Sequence, residues 1–190
     1  MPPSATSKRE LRLQFKQQRS DALAEVGEGI ETITLARLPA AAGQPGHIGL
    51  YWPLAGEADL RSVAAAQLWH NRLALPRVRG GTLQYCPWSP EQPLAADDSG
   101  IPAPQGEAVL RAEQMSLLLV PALALDRRGI RLGYGGGWFD RLRSNPAWRA
   151  VPALAVLPSA CLVEALPADP WDVPFSGWID EQDLHLIASC

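Results

Sequence analysis

Four of the five residues from Gly133 to Gly137 are glycines, and this spacing suggests chemistry more directly than any other in the sequence. Glycine adopts positive φ and has no Cβ, so successive backbone N–H groups can converge on an anion. A helix is predicted directly after them, and its N-terminal end would add a positive dipole. Five arginines and two aspartates lie between Asp126 and Arg143, a local charge of +3 in a chain of net charge -3. The pattern indicates an anionic ligand, with phosphate as the first candidate.

This glycine segment matches neither of the common nucleotide-binding motifs. A Walker loop ends in Gly-Lys-Ser/Thr, and the GxGxxG pattern requires a third glycine where Trp138 stands. A tight strand-to-helix connection without a ligand therefore remains an alternative. Asp140 follows the glycines, where its carboxylate could hold Mg²⁺ beside bound phosphate or act only as a charge at the start of a helix.

The N-terminal region carries a second group of basic residues. The sequence Ser7-Lys-Arg-Glu10 has the form of a capping box and predicts a helix from Lys8 to Glu25. One predicted face of this helix is basic, and such a face is most often simply solvated; it comprises Lys8, Arg9, Arg12, Lys16 and Arg19.

Further along the chain, strand and helix patterns alternate, which is typical of an α/β domain. A second helix is predicted over Gly29 to Leu38, before Pro39 and a small-residue linker from Ala40 to Gly46. Strands are predicted at His47 to Trp52, Leu73 to Leu75, Thr82 to Tyr85, Leu117 to Val120 and Val151 to Val156, with a last edge strand at Gly177 to Asp180. Helices are predicted at Asp59 to His70, with Leu60, Val63, Ala64 and Leu68 on one face, and at Trp138 to Arg143. The stretch from Pro87 to Gln105 is predicted to be irregular.

Ligands of open α/β sheets bind beyond the carboxyl ends of the strands. The connections after Trp52, Val120 and Val156 should meet there, which brings Glu57, the glycine segment and Asp172 within reach of one another.

Length, charge and cysteine content restrict the class of protein. The 190 residues, 47% of them hydrophobic, fit one globular domain over 1–190. A net charge of -3 predicts no general binding to nucleic acid, and three scattered cysteines suit a reducing cytoplasm. The polar N-terminus and the absence of a long apolar run argue against a signal peptide and a membrane span. No sustained heptad argues for a dimer, so a monomer is expected.

Several catalytic arrangements are missing from the sequence. His47, His70 and His185 stand apart from other metal ligands and from any candidate nucleophile, and there is no GxSxG turn. Trp52 and Trp138 flank the predicted crevice and could stack on a planar heterocycle.

Four blocks of the sequence together resemble the 5-formyltetrahydrofolate cyclo-ligase family, also called methenyltetrahydrofolate synthetase. They are the basic motif Lys8 to Arg12, the segment Tyr51 to Glu57, the long glycine block Val120 to Asp140, and the acidic turn Leu166 to Asp172. The glycine block is the most specific of these, and in order and spacing the four cover nearly the whole chain.

The resemblance implies a single-domain NagB/RpiA/CoA-transferase-like α/β fold, with a mostly parallel central sheet flanked by helices. It also implies ATP- and Mg²⁺-dependent conversion of 5-formyltetrahydrofolate to 5,10-methenyltetrahydrofolate, with release of ADP and phosphate. Transfer of a phosphoryl group to the formyl oxygen depends on positioning and charge neutralisation rather than on a protein nucleophile. The lack of a catalytic triad agrees with this chemistry.

The family's site residues carry over to positions of this sequence. The catalytic positions are Arg131 and Tyr134, and the magnesium ligands are Asp140 and Asp172. The folate positions are Trp52, Glu57, Tyr134, Gly135, Gly136, Gly137 and Trp138. The ATP positions are Lys8, Arg9, Arg12, Arg131, Leu132, Gly133, Tyr134, Gly135, Gly136, Gly137, Trp138 and Phe139. Without the motif, Glu57 could equally be a charge at a helix start and Asp172 a turn residue.

Some positions depart from the family pattern. Trp138-Phe139 stands where two tyrosines are usual, Cys161 where glutamine is frequent, Ser176 where an acid is common, and Leu125 where phenylalanine is usual. A non-catalytic folate- or nucleotide-binding member of the same fold is therefore an alternative. An RNA-binding role for the basic N-terminal helix is a third hypothesis, with little support from the net charge.

Overall fold

The first element of the chain is a single long helix. The computed structural model describes residues 7–43, 45–66, 69 and 71–187. Its α-helices are α1 (Lys8–Ala42), α2 (Trp138–Ser144) and α3 (Pro146–Ala150). Its strands are β1 (His47–Gly49), β2 (Leu73–Arg79), β3 (Thr82–Trp88), β4 (Leu94–Ala96), β5 (Pro102–Pro104), β6 (Met115–Pro121), β7 (Ala124–Asp126), β8 (Arg131–Leu132), β9 (Ala153–Val156), β10 (Leu162–Val163), β11 (Gly177–Ile179) and β12 (Leu184–Leu186).

A seven-stranded sheet in the order β12-β11-β9-β6-β1-β2-β3 forms the centre of the protein. The inner strands β11, β9, β6, β1 and β2 run parallel, and β12 and β3 pair antiparallel with their neighbours at the two edges. The predicted α/β class with a mostly parallel sheet is confirmed.

Strand β6 shows why the sheet is covered on both faces. Leu117 and Leu119 pack into one hydrophobic cluster, and Leu118 and Val120 into another. Successive side chains of a strand point to opposite faces, so a continuous apolar run needs cover on both sides. The predicted strand at Leu117 to Val120 is confirmed and lies within β6.

The prediction of two separate helices in the N-terminal region was wrong, and the predicted linker Ala40 to Gly46 is helical as far as Ala42. Helix α1 begins at the predicted capping box, in which Ser7 and Glu10 bond each other, and continues through Pro39 to Ala42. Proline removes one helical hydrogen bond, but it lies in the last turns of α1. Ile30 and Leu38 are fully buried against the sheet, and this packing outweighs the local breaking signal.

The predicted helix from Asp59 to His70 was also wrong. The described part is a short 3₁₀ helix, Arg61–Ala65, and Gln67, Leu68 and His70 lie outside the described residues. The Asp59 carboxylate accepts hydrogen bonds from the backbone N–H and the side chain of Arg61, which favours a tight turn at this point.

Two further predictions need correction. The stretch from Pro87 to Gln105 is not wholly irregular, because β4 and β5 form a hairpin whose turn is closed by hydrogen bonds to Asp97. Gly177 to Asp180 is not the edge, because β11 lies between β9 and β12. Within the described residues, no helix has both the length and the apolar character of a membrane span.

Candidate active site

A cavity of about 400 Å³ lies beyond the carboxyl ends of β1 and β6. Its walls come from the first turns of α1, the connection after β1, the glycine segment and the turn before β11. The predicted meeting of Glu57, the glycine segment and Asp172 is therefore found in the structure. Of the residues assigned from the resemblance, all but Arg9 line this cavity; Arg9 is exposed on α1 and is not among the lining residues.

The glycine segment folds as a loop that requires glycine at specific positions. Gly135 has φ 99° and Gly137 has φ 65°, conformations that side chains with a Cβ rarely adopt. A Cβ on Gly136 would come within 3.0 Å of the Trp138 indole. Arg12 donates a hydrogen bond from Nε to the carbonyl oxygen of Gly133 at 3.0 Å. The loop is thus fixed by backbone geometry and held against α1.

Arg131 is a buried cation in the wall of the cavity. It donates from Nη1 to the carbonyl of Pro121 at 3.1 Å, and its Nη2 lies 3.7 Å from an Asp140 carboxylate oxygen. Its guanidinium contacts the rings of Phe139 and Phe175 at 5.4 and 5.5 Å from their centroids. Burial lowers the pKa of Arg131, whereas Asp140 raises it. Arginine remains charged despite such a shift, so a positive charge is already in place for an anionic ligand.

The predicted metal ligands each lie beside a basic residue. Lys8 Nζ lies 2.6 Å from Asp169 and 2.9 Å from Asp172, and Asp140 is paired with Arg131. Among the described residues, no cluster of three or more His, Cys, Asp or Glu side chains is arranged to hold a metal. Magnesium at nucleotide sites takes one or two carboxylates and completes its shell with phosphate oxygens and water. Asp140 and Asp172 fit that partial donor set.

Glu57 is a buried acid whose backbone neighbours hold it in place. Its side chain is 2% exposed, and it accepts a hydrogen bond from the N–H of Leu54 at 2.8 Å. Burial raises the pKa of Glu57, while the bond from Leu54 and the charges of Arg19 and Arg131 lower it. A carboxylate of this kind can accept hydrogen bonds from N–H donors of a heterocycle.

Arg19 is buried directly behind the cavity wall, and the expectation of a solvated helix face is wrong for this residue. Its side chain is 1% exposed, and it donates hydrogen bonds to the carbonyl of Ala122 and to the Tyr134 hydroxyl. Lys8, Arg12 and Arg19 follow one another at spacings of four and seven, which places them on one face of a helix. Lys16 has the same helical spacing, four residues after Arg12 and three before Arg19, and yet it is exposed. Spacing alone therefore did not distinguish Arg19 from its solvated neighbours.

Aromatic rings form other parts of the cavity wall. Trp52 packs edge-on against Trp88, with 6.5 Å between ring centroids, and Arg61 lies 5.1 Å from its ring. Arg141 lies 4.5 Å from the ring of Trp138. Trp171 also lines the cavity and is 66% exposed. Sequence reasoning did not single out Trp171, because an exposed tryptophan in a turn carries no periodic signal.

Part of the β4–β5 hairpin reaches the same cavity. Its lining residues are Asp97, Ser99 and Ile101. Burial tends to raise the pKa of Asp97, but hydrogen bonds from Val78 and from its own turn lower it. The carboxylate is therefore engaged within the protein and shapes the turn that borders the cavity.

Known proteins that resemble this chain are named 5-formyltetrahydrofolate cyclo-ligase or 5,10-methenyltetrahydrofolate synthetase. The model of the 5-formyltetrahydrofolate cyclo-ligase family matches residues 4–179. A 5-formyltetrahydrofolate cyclo-ligase of Haemophilus influenzae is 29% identical over 137 residues, which cover 69% of this chain and 73% of that protein. The solved 5,10-methenyltetrahydrofolate synthetase of Aquifex aeolicus superposes with a TM-score of 0.77 at 28% identity, covering 96% of this chain and 94% of the other.

A second solved structure resembles the fold of this chain. The 5,10-methenyltetrahydrofolate synthetase of Mycoplasma pneumoniae superposes with a TM-score of 0.67 at 21% identity, covering 93% of this chain and all of the other. At that identity the likeness concerns the fold alone.

Proposed function

The chain belongs to the 5-formyltetrahydrofolate cyclo-ligase family, and we propose that it converts 5-formyltetrahydrofolate to 5,10-methenyltetrahydrofolate with consumption of ATP and release of ADP and phosphate. The observation that carries this proposal is the convergence of the glycine loop, Arg131 and Glu57 on one cavity. These residues suit an anionic phosphate chain at one end and a hydrogen-bonding heterocycle at the other.

The reaction needs activation because a formamide oxygen is a poor leaving group. The formyl oxygen attacks the γ-phosphorus of ATP, an oxygen–phosphorus bond forms, and the bond to the β-phosphate oxygen breaks to release ADP. N10 of the same folate then attacks the formyl carbon and gives up its proton. The carbon–oxygen bond breaks, and phosphate leaves with the former formyl oxygen.

The residues of the cavity have separate roles in this scheme. Lys8, Arg12 and the N–H groups of the glycine loop bind the phosphates, and Arg131 stabilises the charge that develops on the transferred group. Glu57 accepts hydrogen bonds from the pterin, and Trp52 forms a wall against its ring. Holding the two substrates in line supplies much of the catalysis, since the protein provides no nucleophile.

The magnesium ligands in this proposal are Asp140 and Asp172. A bound Mg²⁺ ion supplies charge neutralisation at the phosphate oxygens. Until the ion and nucleotide bind, each carboxylate pairs with a basic side chain, Asp140 with Arg131 and Asp172 with Lys8.

An isotope experiment tests the proposed route. With ¹⁸O in the formyl group, each molecule of product should be matched by one ADP and one phosphate that carries the label. Label released as water would contradict phosphorylation of the formyl oxygen. If the folded protein bound both substrates and formed no product, the alternative of a non-catalytic binding protein of the same fold would be favoured. The observation behind that alternative is the pair Trp138-Phe139, which lacks the hydroxyl groups of the usual two tyrosines.

A further inference from the structure

Arg19 occupies a position between two residues of the proposed folate site. Its Nη1 donates to the Ala122 carbonyl oxygen at 3.0 Å and lies 3.9 Å from Glu57 Oε1. Its Nη2 donates to the hydroxyl of Tyr134, and its guanidinium lies 5.2 Å from the centroid of that ring. Arg19 is not among the described residues that line the cavity, so any effect on a ligand passes through Glu57 and Tyr134.

The contact with Arg19 fixes the direction of hydrogen bonding at Tyr134. Arginine has only donors, so the phenolic oxygen must accept from it. The phenolic hydrogen is then left for a different acceptor. Burial raises the pKa of Tyr134, although Arg19 lowers it, and the hydroxyl stays protonated at neutral pH. Tyr134 lines the cavity, which makes it a donor to a bound molecule.

The charge of Arg19 also acts on Glu57. The charges of Arg19 and Arg131 act on this carboxyl. Besides burial, Glu57 in turn raises the pKa of the two tyrosines that face it, Tyr51 and Tyr134. The two arginines favour the ionised carboxylate against the effect of burial. Arg131 also pairs with an aspartate, whereas Glu57 is the acid within ion-pair distance of Arg19 among the described residues.

We propose that Arg19 is a positioning residue of the reaction, which orients the Tyr134 hydroxyl as a donor to the formyl group of the folate and holds Glu57 as the carboxylate that binds the pterin. The proposal rests on the proposed function, because it names the folate end of the cavity as the part that Arg19 organises. A purely structural arginine would affect stability without separating the two substrates.

Steady-state kinetics over roughly pH 5 to 9 test this role. The variants are Arg19→Met, Arg19→Lys and Tyr134→Phe, with Lys16→Met as the matched control because Lys16 is an exposed base on the same helix. In Arg19→Met we expect KM for folate to rise about tenfold or more while KM for ATP changes less than about twofold. The acid limb of kcat/KM should move to higher pH, since loss of the cation raises the pKa of Glu57.

The other variants sharpen the result. Arg19→Lys should restore the acid limb of the parent protein, because lysine keeps the positive charge. It should restore the KM for folate only in part, because lysine lacks the paired N–H donors of the guanidinium group. Tyr134→Phe should reduce the effect of Arg19→Met when the two are combined, since the two residues act as a unit. Lys16→Met should behave as the parent protein.

Several outcomes would overturn the proposal. One is a folded Arg19→Met protein with the parent's folate KM and acid limb; another is an equal rise of both KM values. If Arg19→Met fails to unfold cooperatively, Arg19→Lys compared with Lys16→Arg decides the same question.

Failure of the proposed function is recognised by the absence of turnover in the parent protein. In that case the binding of 5-formyltetrahydrofolate is measured by calorimetry instead of by kinetics. Weaker binding by Arg19→Met than by Lys16→Met would support the positioning role without catalysis. Equal binding by the two, or no binding by the parent, would refute it.

Discussion

Lys8 Nζ lies 2.6 Å from Oδ2 of Asp169, and this ion pair joins the first turn of α1 to the acidic turn 161 residues later in the chain. The same ammonium group contacts Asp172. Burial tends to lower the pKa of Lys8, but its hydrogen bonds to the two aspartates raise it overall. The site therefore holds a fully charged lysine at its edge, and a bound phosphate would compete with the aspartates for it.

Replacing Lys8 with methionine should weaken ATP binding. Loss of one charge-assisted contact predicts a rise of about tenfold in KM for ATP. The free energy of unfolding should change by less than about 1 kcal/mol, because the pair is partly exposed to solvent. Steady-state kinetics and urea unfolding measure the two effects, and an unchanged KM for ATP would remove Lys8 from the phosphate site. Lys16→Met is the control for the lost charge.

Replacing Gly135 with alanine should deform the phosphate loop. At φ 99° the new Cβ is strained, and it would lie 3.3 Å from Cζ of Arg12. We expect a loss of about 1 to 3 kcal/mol in the free energy of unfolding and a large loss of turnover. Gly106→Ala is the control, because a Cβ there meets nothing within 4 Å. Parent-like turnover in Gly135→Ala would refute the requirement for this backbone conformation.

Replacing Asp140 with asparagine should impair the use of magnesium. The side chain is 38% exposed, so the fold should persist, as circular dichroism can verify. We expect a fall of about 100-fold in kcat and a half-saturating Mg²⁺ concentration at least about tenfold higher. The exposed carboxylate Asp21, changed to asparagine, provides the control. If the magnesium titration of Asp140→Asn overlaid that of the parent, Asp140 would not be a metal ligand.

Replacing Glu57 with glutamine should stabilise the folded protein while weakening its binding of folate. Burial raises the pKa of Glu57, so the folded protein binds this proton more readily than the unfolded chain. The stabilising contribution of that proton is fully present below the pKa that Glu57 has in the unfolded chain. It is lost as pH rises through the pKa that Glu57 has in the folded protein. Glutamine imitates the protonated acid, and Tm at neutral pH should therefore rise.

The same substitution should raise KM for folate, because glutamine lacks the charged acceptor. Thermal unfolding across pH and folate kinetics test the two halves, with exposed Glu25→Gln as the reference. A lower Tm than the parent's at neutral pH would show that ionised Glu57 is needed for folding instead.

The place of the site could be predicted from sequence where its residues lie close together in the chain. The glycine loop, Arg131 and Asp140 are contiguous in the chain, and glycine has few reasons to cluster other than backbone geometry. Arg19 was missed because a basic helix residue is usually solvated, and its burial depends on the loop of Tyr134 packing over it. That tertiary contact leaves no local pattern.

The fold could be predicted from sequence where a strand is buried on both faces of the sheet. The run from Leu117 to Val120 is typical of a central parallel strand, which is covered on both faces. The length of α1 was not predictable, because Gly27, Gly29 and Pro39 break a helix in isolation. Packing of Ile30 and Leu38 on the sheet overrides these local preferences, as tertiary contacts often do.

The proposed activity is tested most directly by following the absorbance of 5,10-methenyltetrahydrofolate as it forms from 5-formyltetrahydrofolate. The reaction is run with MgATP, with ATP and a chelator, and without nucleotide. We expect product only when both ATP and Mg²⁺ are present. Folded protein that gives no product with MgATP, or gives it equally well without ATP, would contradict the proposed activity.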